Sequence, residues 1–157
     1  MDIVAGPLDA DGFSGFGEIF AVPSTPGRTY ADSALSNRRA GALPSLSVVL
    51  RPAAPAGPII ARRMERHAFS SQTFVPLGSG RYVVIVAPHD PTGRPAMDRA
   101  RAFVARPGQC ITYGPDVWHH ELTVLDEPMA FAVLMWRDGT DRDEEFVEIE
   151  PVTIRLV

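Results

Sequence analysis

Short apolar runs separated by turn-forming residues make up most of this 157-residue chain. Fifteen prolines and thirteen glycines punctuate the sequence, and β-branched residues are frequent in the runs between them. This spacing is typical of an all-β sandwich or barrel, because alternating β–α–β units would place longer helical patterns between the strands. The predicted strands are 45–50, 59–64, 73–77, 82–87, 110–113, 122–125, 130–136 and 152–157.

Two short stretches have a helical pattern, and both lie at the periphery of the predicted barrel. In residues 9–15, Phe13 forms an apolar edge with the flanking Leu8 and Phe16, and residues 98–104 begin with an aspartate that is suited to cap a helix. The chain contains no internal repeat and no long linker. We therefore expect a single domain over residues 1–157, which is long enough to bury a sizeable core.

The composition excludes several classes of function. All fifteen basic residues are arginines, so enzymes that need a lysine amine, such as Schiff-base and pyridoxal phosphate enzymes and P-loop proteins, are ruled out. The net charge is −4, and the acidic residues are concentrated in residues 137–150, which we interpret as a solvated turn. No basic stripe with interleaved aromatic residues is present, so we expect no nucleic-acid partner.

Membrane and redox signals are also weak in this sequence. No apolar run reaches 18 residues, and the N-terminus has no basic region followed by an apolar one. We therefore expect no membrane partner and a cytoplasmic location.

The single cysteine, Cys110, has no acidic residue or histidine nearby to activate it, and we interpret it as a small buried apolar residue.

Two polar constellations about forty residues apart carry the candidate chemistry. Glu65 and His67 are two positions apart, so on a strand they point to the same face, and Gln72 can return to that face after a short loop. His119 and His120 are adjacent, so only one of them can point inward on a regular strand. We assign His119 to the pocket and expect His120 to face the other layer or a subunit interface.

Two imidazoles, one carboxylate and one amide inside a barrel have two interpretations. They can bind a divalent transition metal, because imidazole favours such ions and oxygen donors can complete the coordination. Alternatively, Glu65 and His67 can hydrogen-bond to each other in a polar core that holds no metal. The residues alone leave both interpretations open.

The first constellation resembles the first motif of the cupin superfamily, which reads His-x-His, three or four residues, and Glu. Glu65 stands at the first position, His67 at the second, and Gln72 at the spacing of the glutamate. The second cupin motif would open at Gly108 and end at His119. The resemblance implies a cupin-like β-barrel, also called a double-stranded β-helix or jelly roll.

The second motif departs from the cupin pattern in its middle. Gly114 and Asp116 occupy the positions where cupins have proline and glycine.

A closer resemblance extends over nearly the whole chain. Residues 64–76, 101–103, 107–109 and 113–120, together with a pattern of Pro, Leu, Phe and Gly-Glu within residues 7–18, are similar to the ureidoglycolate lyase family. That family has the cupin fold, acts in allantoin catabolism and is usually homodimeric. The resemblance implies a homodimer that takes a small-molecule acid as substrate and cleaves (S)-ureidoglycolate to glyoxylate and urea, an elimination from a hemiaminal.

The resemblance also implies roles for the candidate residues. His119 or Glu65 would be the general base, and His67 would be a metal ligand or an acid. Gln72 would bind the ureido group, and Arg51 would bind the substrate carboxylate. If a metal is used, it would be Ni, Mn or Zn held by Glu65, His67, Gln72 and His119. The sequence does not decide whether one is required, because hemiaminals already decompose in water and acid–base help alone could suffice.

Several positions differ from the family pattern. Tyr113, a further candidate for substrate binding, is followed by glycine where the family has histidine. Glu121 replaces a proline, and Trp136, the last candidate for substrate binding, replaces an aspartate. Residues 138–145 lack the family's turn that is rich in glycine and contains Asn-Cys.

These departures keep two alternatives open. One is a lyase or isomerase of the same fold with a pocket remodelled for another small hydroxy or imino acid. The other is a non-catalytic cupin that binds a small acid.

Overall fold

The computed structural model describes residues 1–156, which form twelve strands, one short α-helix and one 3₁₀ turn. The strands are β1 (Asp2–Pro7), β2 (Gly17–Ala21), β3 (Leu43–Arg51), β4 (Ile59–His67), β5 (Gln72–Pro76), β6 (Tyr82–Ala87), β7 (Arg101–Ala105), β8 (Gln109–Tyr113), β9 (Trp118–His119), β10 (Thr123–Val124), β11 (Met129–Arg137) and β12 (Glu144–Leu156). The helix is α1 (Ala10–Phe13), and the 3₁₀ turn is Met97–Arg99.

Six of the strands close into a barrel. They follow the order β6-β7-β1-β12-β4-β9, and β9 then pairs with β6 to complete the ring. A second sheet has the order β2-β8-β5-β11-β3, and β10 pairs with the first two residues of β6, at the opposite end of that strand from β9. The architecture confirms the prediction of an all-β, cupin-like barrel. Closure also removes free strand edges from the ring, whereas β3 remains an edge strand of the second sheet.

Strand β6 divides the apolar interior into two parts. Its six residues are all buried, so both of its faces pack against other elements. Tyr82, Val84 and Val86 point into the core shared with the second sheet, and Val83 and Ile85 point into the core on the other side. A continuous apolar run without alternation is what a strand covered on both faces requires.

One helix prediction is confirmed and the other is wrong. Asp9 caps α1 by accepting a hydrogen bond from the Gly12 N–H at 2.7 Å, within the predicted stretch 9–15. In the predicted stretch 98–104, a 3₁₀ turn gives way to β7, which pairs with both β6 and β1. Ala102 and Phe103 are buried in different cores because they lie on opposite faces of this strand. Pairing with two neighbours outweighs the local helical pattern.

The acidic segment 137–150 is only partly a solvated turn. Residues 139–142 are exposed, but Glu144 starts a strand of thirteen residues, and Asp143 is 6% exposed. That prediction is therefore wrong for Asp143. Cys110 is fully buried as predicted, and burial raises the pKa of its thiol to about 11. Among residues 1–156, no helix has the length and apolar character needed to cross a membrane.

Candidate active site

An open pocket of about 380 Å³ lies between the barrel and the second sheet, and we call it the central pocket. Five of its polar lining residues, all candidates from the sequence, come from five different strands. Arg51 lies on β3, Glu65 on β4, Gln72 on β5, Tyr113 on β8 and His119 on β9. Distant parts of the sequence therefore meet at one place, as the spacing of the two constellations indicated.

Three side chains form a compact cluster at the edge of this pocket. Glu65 and His67 follow each other at i and i+2 on β4, and Glu65 pairs across the ladder with His119 of β9. One potential ligand atom from each residue lies within 4.8 Å of the other two. The imidazole rings of His67 and His119 have centroids 6.0 Å apart. We call Glu65, His67 and His119 the triad.

The His119 ring is fixed on two sides. Its Nδ1 lies 2.9 Å from the carbonyl oxygen of Val117, and a carbonyl only accepts, so Nδ1 carries the proton. The ring also stacks on Tyr113 at a centroid distance of 4.1 Å. Nε2 therefore has a lone pair, and this atom is buried without a hydrogen-bond partner among the described residues. Burial lowers the pKa of His119 to about 4, against the attraction of Glu65, so the ring is neutral at neutral pH.

Glu65 is ionised in the same environment. Burial raises the pKa of its carboxyl, but the short contact with His67 and the neighbouring imidazole of His119 and guanidinium of Arg51 lower it by more. Its Oε1 lies 3.0 Å from Nε2 of His67, although the contact lacks hydrogen-bond alignment. The triad thus combines a carboxylate with two imidazole nitrogens that have no aligned partner.

Three further polar atoms in the central pocket are buried without a partner in residues 1–156. They are Nε of Arg51, Oε1 of Gln72 and the hydroxyl oxygen of Tyr113. Burial raises the pKa of Tyr113 well above its ordinary value, so its hydroxyl stays neutral and can donate a hydrogen bond. Buried polar groups are normally paired, and several unpaired ones around one cavity indicate that a polar ligand completes them.

The chain matches the family described as ureidoglycolate lyase over residues 1–155. It belongs to the ureidoglycolate lyase family. The ureidoglycolate lyase of Chelativorans sp. (strain BNC1) is 33% identical, with 98% of this chain and 96% of the relative covered. The ureidoglycolate lyase of Brucella melitensis biotype 1 is 33% identical, with 89% and 86% covered. A dTDP sugar isomerase from Desulfovibrio desulfuricans G20 has a TM-score of 0.50 at 14% identity, covering 85% of this chain and 84% of that one, which shows the fold alone.

The aspartate at position 116, which departs from the cupin motif, has a clear structural role. Asp116, where cupins have glycine, adopts the left-handed conformation with φ 67°, which aspartate tolerates better than most residues. Its N–H donates to the carbonyl oxygen of His67 at 2.7 Å, and its carboxylate accepts from Arg66 at 2.7 Å. Arg66 also binds Glu145 and lies over the ring of Trp118. The loop before His119 is thereby tied to the end of β4.

Glu121 replaces the family's proline at the mouth of the central pocket. Its carboxylate accepts a hydrogen bond from Arg51 at 2.9 Å, so the guanidinium that we assigned to the substrate carboxylate already has one anionic partner. His120, which we expected to face away from the pocket, lies at its rim, and its Nδ1 is 2.9 Å from the carbonyl oxygen of Arg63. His120 also lines two recesses outside the central pocket, because the chain leaves the regular strand after His119, and its place at a subunit interface stays a prediction.

Trp136 does not line the central pocket. It lies in a separate recess of about 440 Å³, together with Arg39, His67 and Asp143. Sequence reasoning assigned no role to Arg39 or Asp143, although both lie close to His67. The triad therefore borders two spaces: the central pocket in front of Glu65 and His119, and the recess behind His67.

The triad has the composition of a site for a divalent transition metal. Imidazole nitrogen and carboxylate oxygen are ordinary ligands of such ions, and the unpaired Nε2 atoms of His67 and His119 are what a ligand set needs. Gln72 contributes an unpaired amide oxygen to the same pocket, and amide oxygen is a weaker donor. The residues present fit a metal.

Proposed function

We propose that this protein cleaves (S)-ureidoglycolate to glyoxylate and urea. The observation that carries the proposal is the set of buried polar atoms without partners around the central pocket, which matches the groups of this substrate. Membership of the ureidoglycolate lyase family supports it and favours a lyase over the two alternatives, an enzyme for another small hydroxy or imino acid and a non-catalytic binding protein. The cytoplasmic location stays a prediction.

Each part of the substrate has a matching group in the pocket. Arg51 is a planar donor suited to the carboxylate, and its Nε is free of protein partners in the described chain. Gln72 can both accept from and donate to the ureido group, because a side-chain amide carries both functions. The neutral hydroxyl of Tyr113 can donate to a substrate oxygen.

The reaction needs one proton to leave oxygen and one to reach nitrogen. Glu65 is the group that takes the hydroxyl proton, since it is ionised at neutral pH and faces the pocket. As the carbon–oxygen double bond of glyoxylate forms, the carbon–nitrogen bond breaks and the urea nitrogen takes up a proton. In the metal-free site, His67, whose Nε2 lies 3.0 Å from Oε1 of Glu65, can pass that proton on, so no net proton is gained or lost.

Acid–base help of this kind typically accelerates a reaction by about 10²–10⁴-fold, or roughly 3–5 kcal/mol. A hemiaminal that already decomposes in water needs no larger contribution.

Glu65, His67 and His119 are the residues that would hold a divalent metal such as Ni, Mn or Zn. A bound metal would polarise and acidify the substrate hydroxyl as a Lewis acid. His119 presents its Nε2 lone pair to this position because its Nδ1 proton is committed to Val117. One carboxylate oxygen of Glu65 suffices as a ligand, and the other stays available for the hydroxyl proton.

A thermal-stability screen tests the substrate assignment directly. Ligand that binds the native state raises the unfolding free energy by RT ln(1 + [L]/Kd). We expect a shift of the melting temperature with ureidoglycolate, or with a stable analogue that keeps its carboxylate, hydroxyl and ureido groups. Arg51→Met should remove the shift. A larger shift with a hydroxy or imino acid that lacks the ureido group would replace the proposal with the remodelled-pocket alternative.

A further inference from the structure

Asp143 is a buried carboxylate that the proposed reaction does not use. Its Oδ1 accepts the backbone N–H of Phe69 at 2.7 Å, and its Oδ2 accepts from Arg39 at 3.0 Å and from the hydroxyl of Ser70. The carbonyl of Asp143 also accepts the N–H of Ala68 at 2.8 Å. The carboxylate is therefore held rigidly against the loop that follows His67.

The same carboxylate faces the far side of the His67 ring. Oδ2 of Asp143 lies 3.8 Å from Nδ1 of His67, and that nitrogen is buried without a hydrogen-bond partner in the described chain. Glu65 lies near the other nitrogen, Nε2. His67 is thus placed between two carboxylates, one belonging to the triad and one behind it.

We propose that Asp143 is a positioning residue that selects the tautomer of His67. Its negative charge favours the proton on Nδ1, which leaves the Nε2 lone pair facing Glu65 and His119. The inference rests on the proposed function only in placing His67 at the reacting site. A carboxylate behind a ligating or proton-transferring imidazole commonly fixes its orientation and tautomer in this way.

Two features favour a proton on Nδ1, which faces Asp143, over a proton on Nε2, which faces Glu65. Neither nitrogen of the ring has an aligned hydrogen bond, at 3.0 Å from Glu65 or at 3.8 Å from Asp143, so the shorter distance to Glu65 does not by itself hold the proton on Nε2. Asp143 is also the more buried of the two, with 7% of its side chain exposed against 18% for Glu65. Its field on the ring is accordingly less screened by water.

Arg39 anchors this carboxylate and supplies a matched control. Its guanidinium lies 3.0 Å from Asp143 and 3.0 Å from Asp138, and it donates to the carbonyl oxygen of Trp136. Asp138 shares the cation with Asp143 but is not among the charged groups within 4 Å of His67. Asp143→Asn and Asp138→Asn each remove one anionic partner of Arg39, and only the first removes the charge behind His67.

The direct test is nitrogen NMR of the His67 ring in metal-free protein at mildly alkaline pH, where the two tautomers have different ¹⁵N shifts. We expect the Nδ1–H form in the wild type, a shift of population towards Nε2–H in Asp143→Asn, and no change in Asp138→Asn. An Nε2–H form in the wild type overturns the proposal, as does an Asp143→Asn spectrum identical to that of the wild type. If Asp143→Asn does not fold, an Nδ1–H form in the wild type supports the proposal and an Nε2–H form overturns it.

Zinc affinity gives a second readout that does not depend on turnover. Loss of an outer partner of a metal-ligating histidine typically weakens metal binding about 10- to 100-fold. We expect this loss in Asp143→Asn and wild-type affinity in Asp138→Asn, measured by calorimetry; equal losses in both variants would reduce the role of Asp143 to anchoring Arg39. A wild type that shows the Nδ1–H tautomer but releases no glyoxylate would contradict the proposed function and leave this inference intact.

Discussion

His119 and Tyr113 stack with ring centroids 4.1 Å apart and planes inclined by 16°. The stack holds the imidazole in one orientation, and the Val117 carbonyl fixes its tautomer. The histidine thereby presents an unprotonated Nε2 to the triad without any rotation of the side chain. Preorganisation of this kind lowers the cost of assembling a reactive geometry.

Burial of neutral His119 makes stability depend on pH. Its pKa is about 4 in the folded protein and near 6.5 when unfolded, so between these values the unfolded state binds the extra proton. Stability is therefore lost as pH falls from 6.5 towards 4, by up to about 3 kcal/mol for this group. Urea denaturation at several pH values should show this loss, and His119→Phe should flatten the curve in that window. An unchanged slope in the variant would contradict the assignment.

The ion pair between Arg51 and Glu121 should weaken substrate binding. Both side chains are partly exposed, so the pair contributes less than about 1 kcal/mol, and Glu121→Gln should lower KM by about two- to fivefold with little change in kcat. Arg51→Met should raise KM in the same assay, because it removes the donor itself. A KM that rises in Glu121→Gln would show that this carboxylate assists binding.

The outer face of β3 carries three large apolar side chains in alternation. Leu46, Val48 and Leu50 are each about 70% exposed, and β3 ends its sheet. Exposed apolar surface on an edge strand is typical of an interface, so we expect a homodimer of the 17.0 kDa chain. Val48→Asp should give monomers in sedimentation, whereas Val4→Asp, at a similarly exposed position on β1, should not. Sedimentation of the wild type as a monomer at micromolar concentration would contradict the expectation.

The sequence is sufficient to predict the barrel and the meeting of Glu65, Gln72 and His119. Two-residue periodicity places Glu65 and His67 on one face, and closure of the barrel brings β9 alongside β4. The first feature follows from a local pattern that any strand obeys, and the second is implied by the resemblance to the two cupin motifs. The local pattern of residues 98–104 predicts a helix, but most of this stretch forms β7. The pairing of β7 with two neighbouring strands is a tertiary effect that the local pattern does not contain.

The ion pairs around the site lie beyond sequence reasoning. Asp143 sits among exposed acidic residues, and only its contact with Arg39, 104 positions earlier, distinguishes it from them. The pairing of Arg51 with Glu121 spans 70 positions and depends on how two loops meet. Nothing in the local sequence marks such contacts, since they arise from packing between distant strands.

Release of glyoxylate and urea from (S)-ureidoglycolate is the direct measure of the proposed activity. The wild type should produce both products in equal amounts well above the spontaneous rate, and Glu65→Gln should lose about 10²–10⁴-fold of this activity while its far-ultraviolet circular dichroism stays unchanged. The assay should be run with and without Ni²⁺, Mn²⁺ or Zn²⁺. Turnover by the wild type no faster than the spontaneous reaction under all of these conditions would contradict the account.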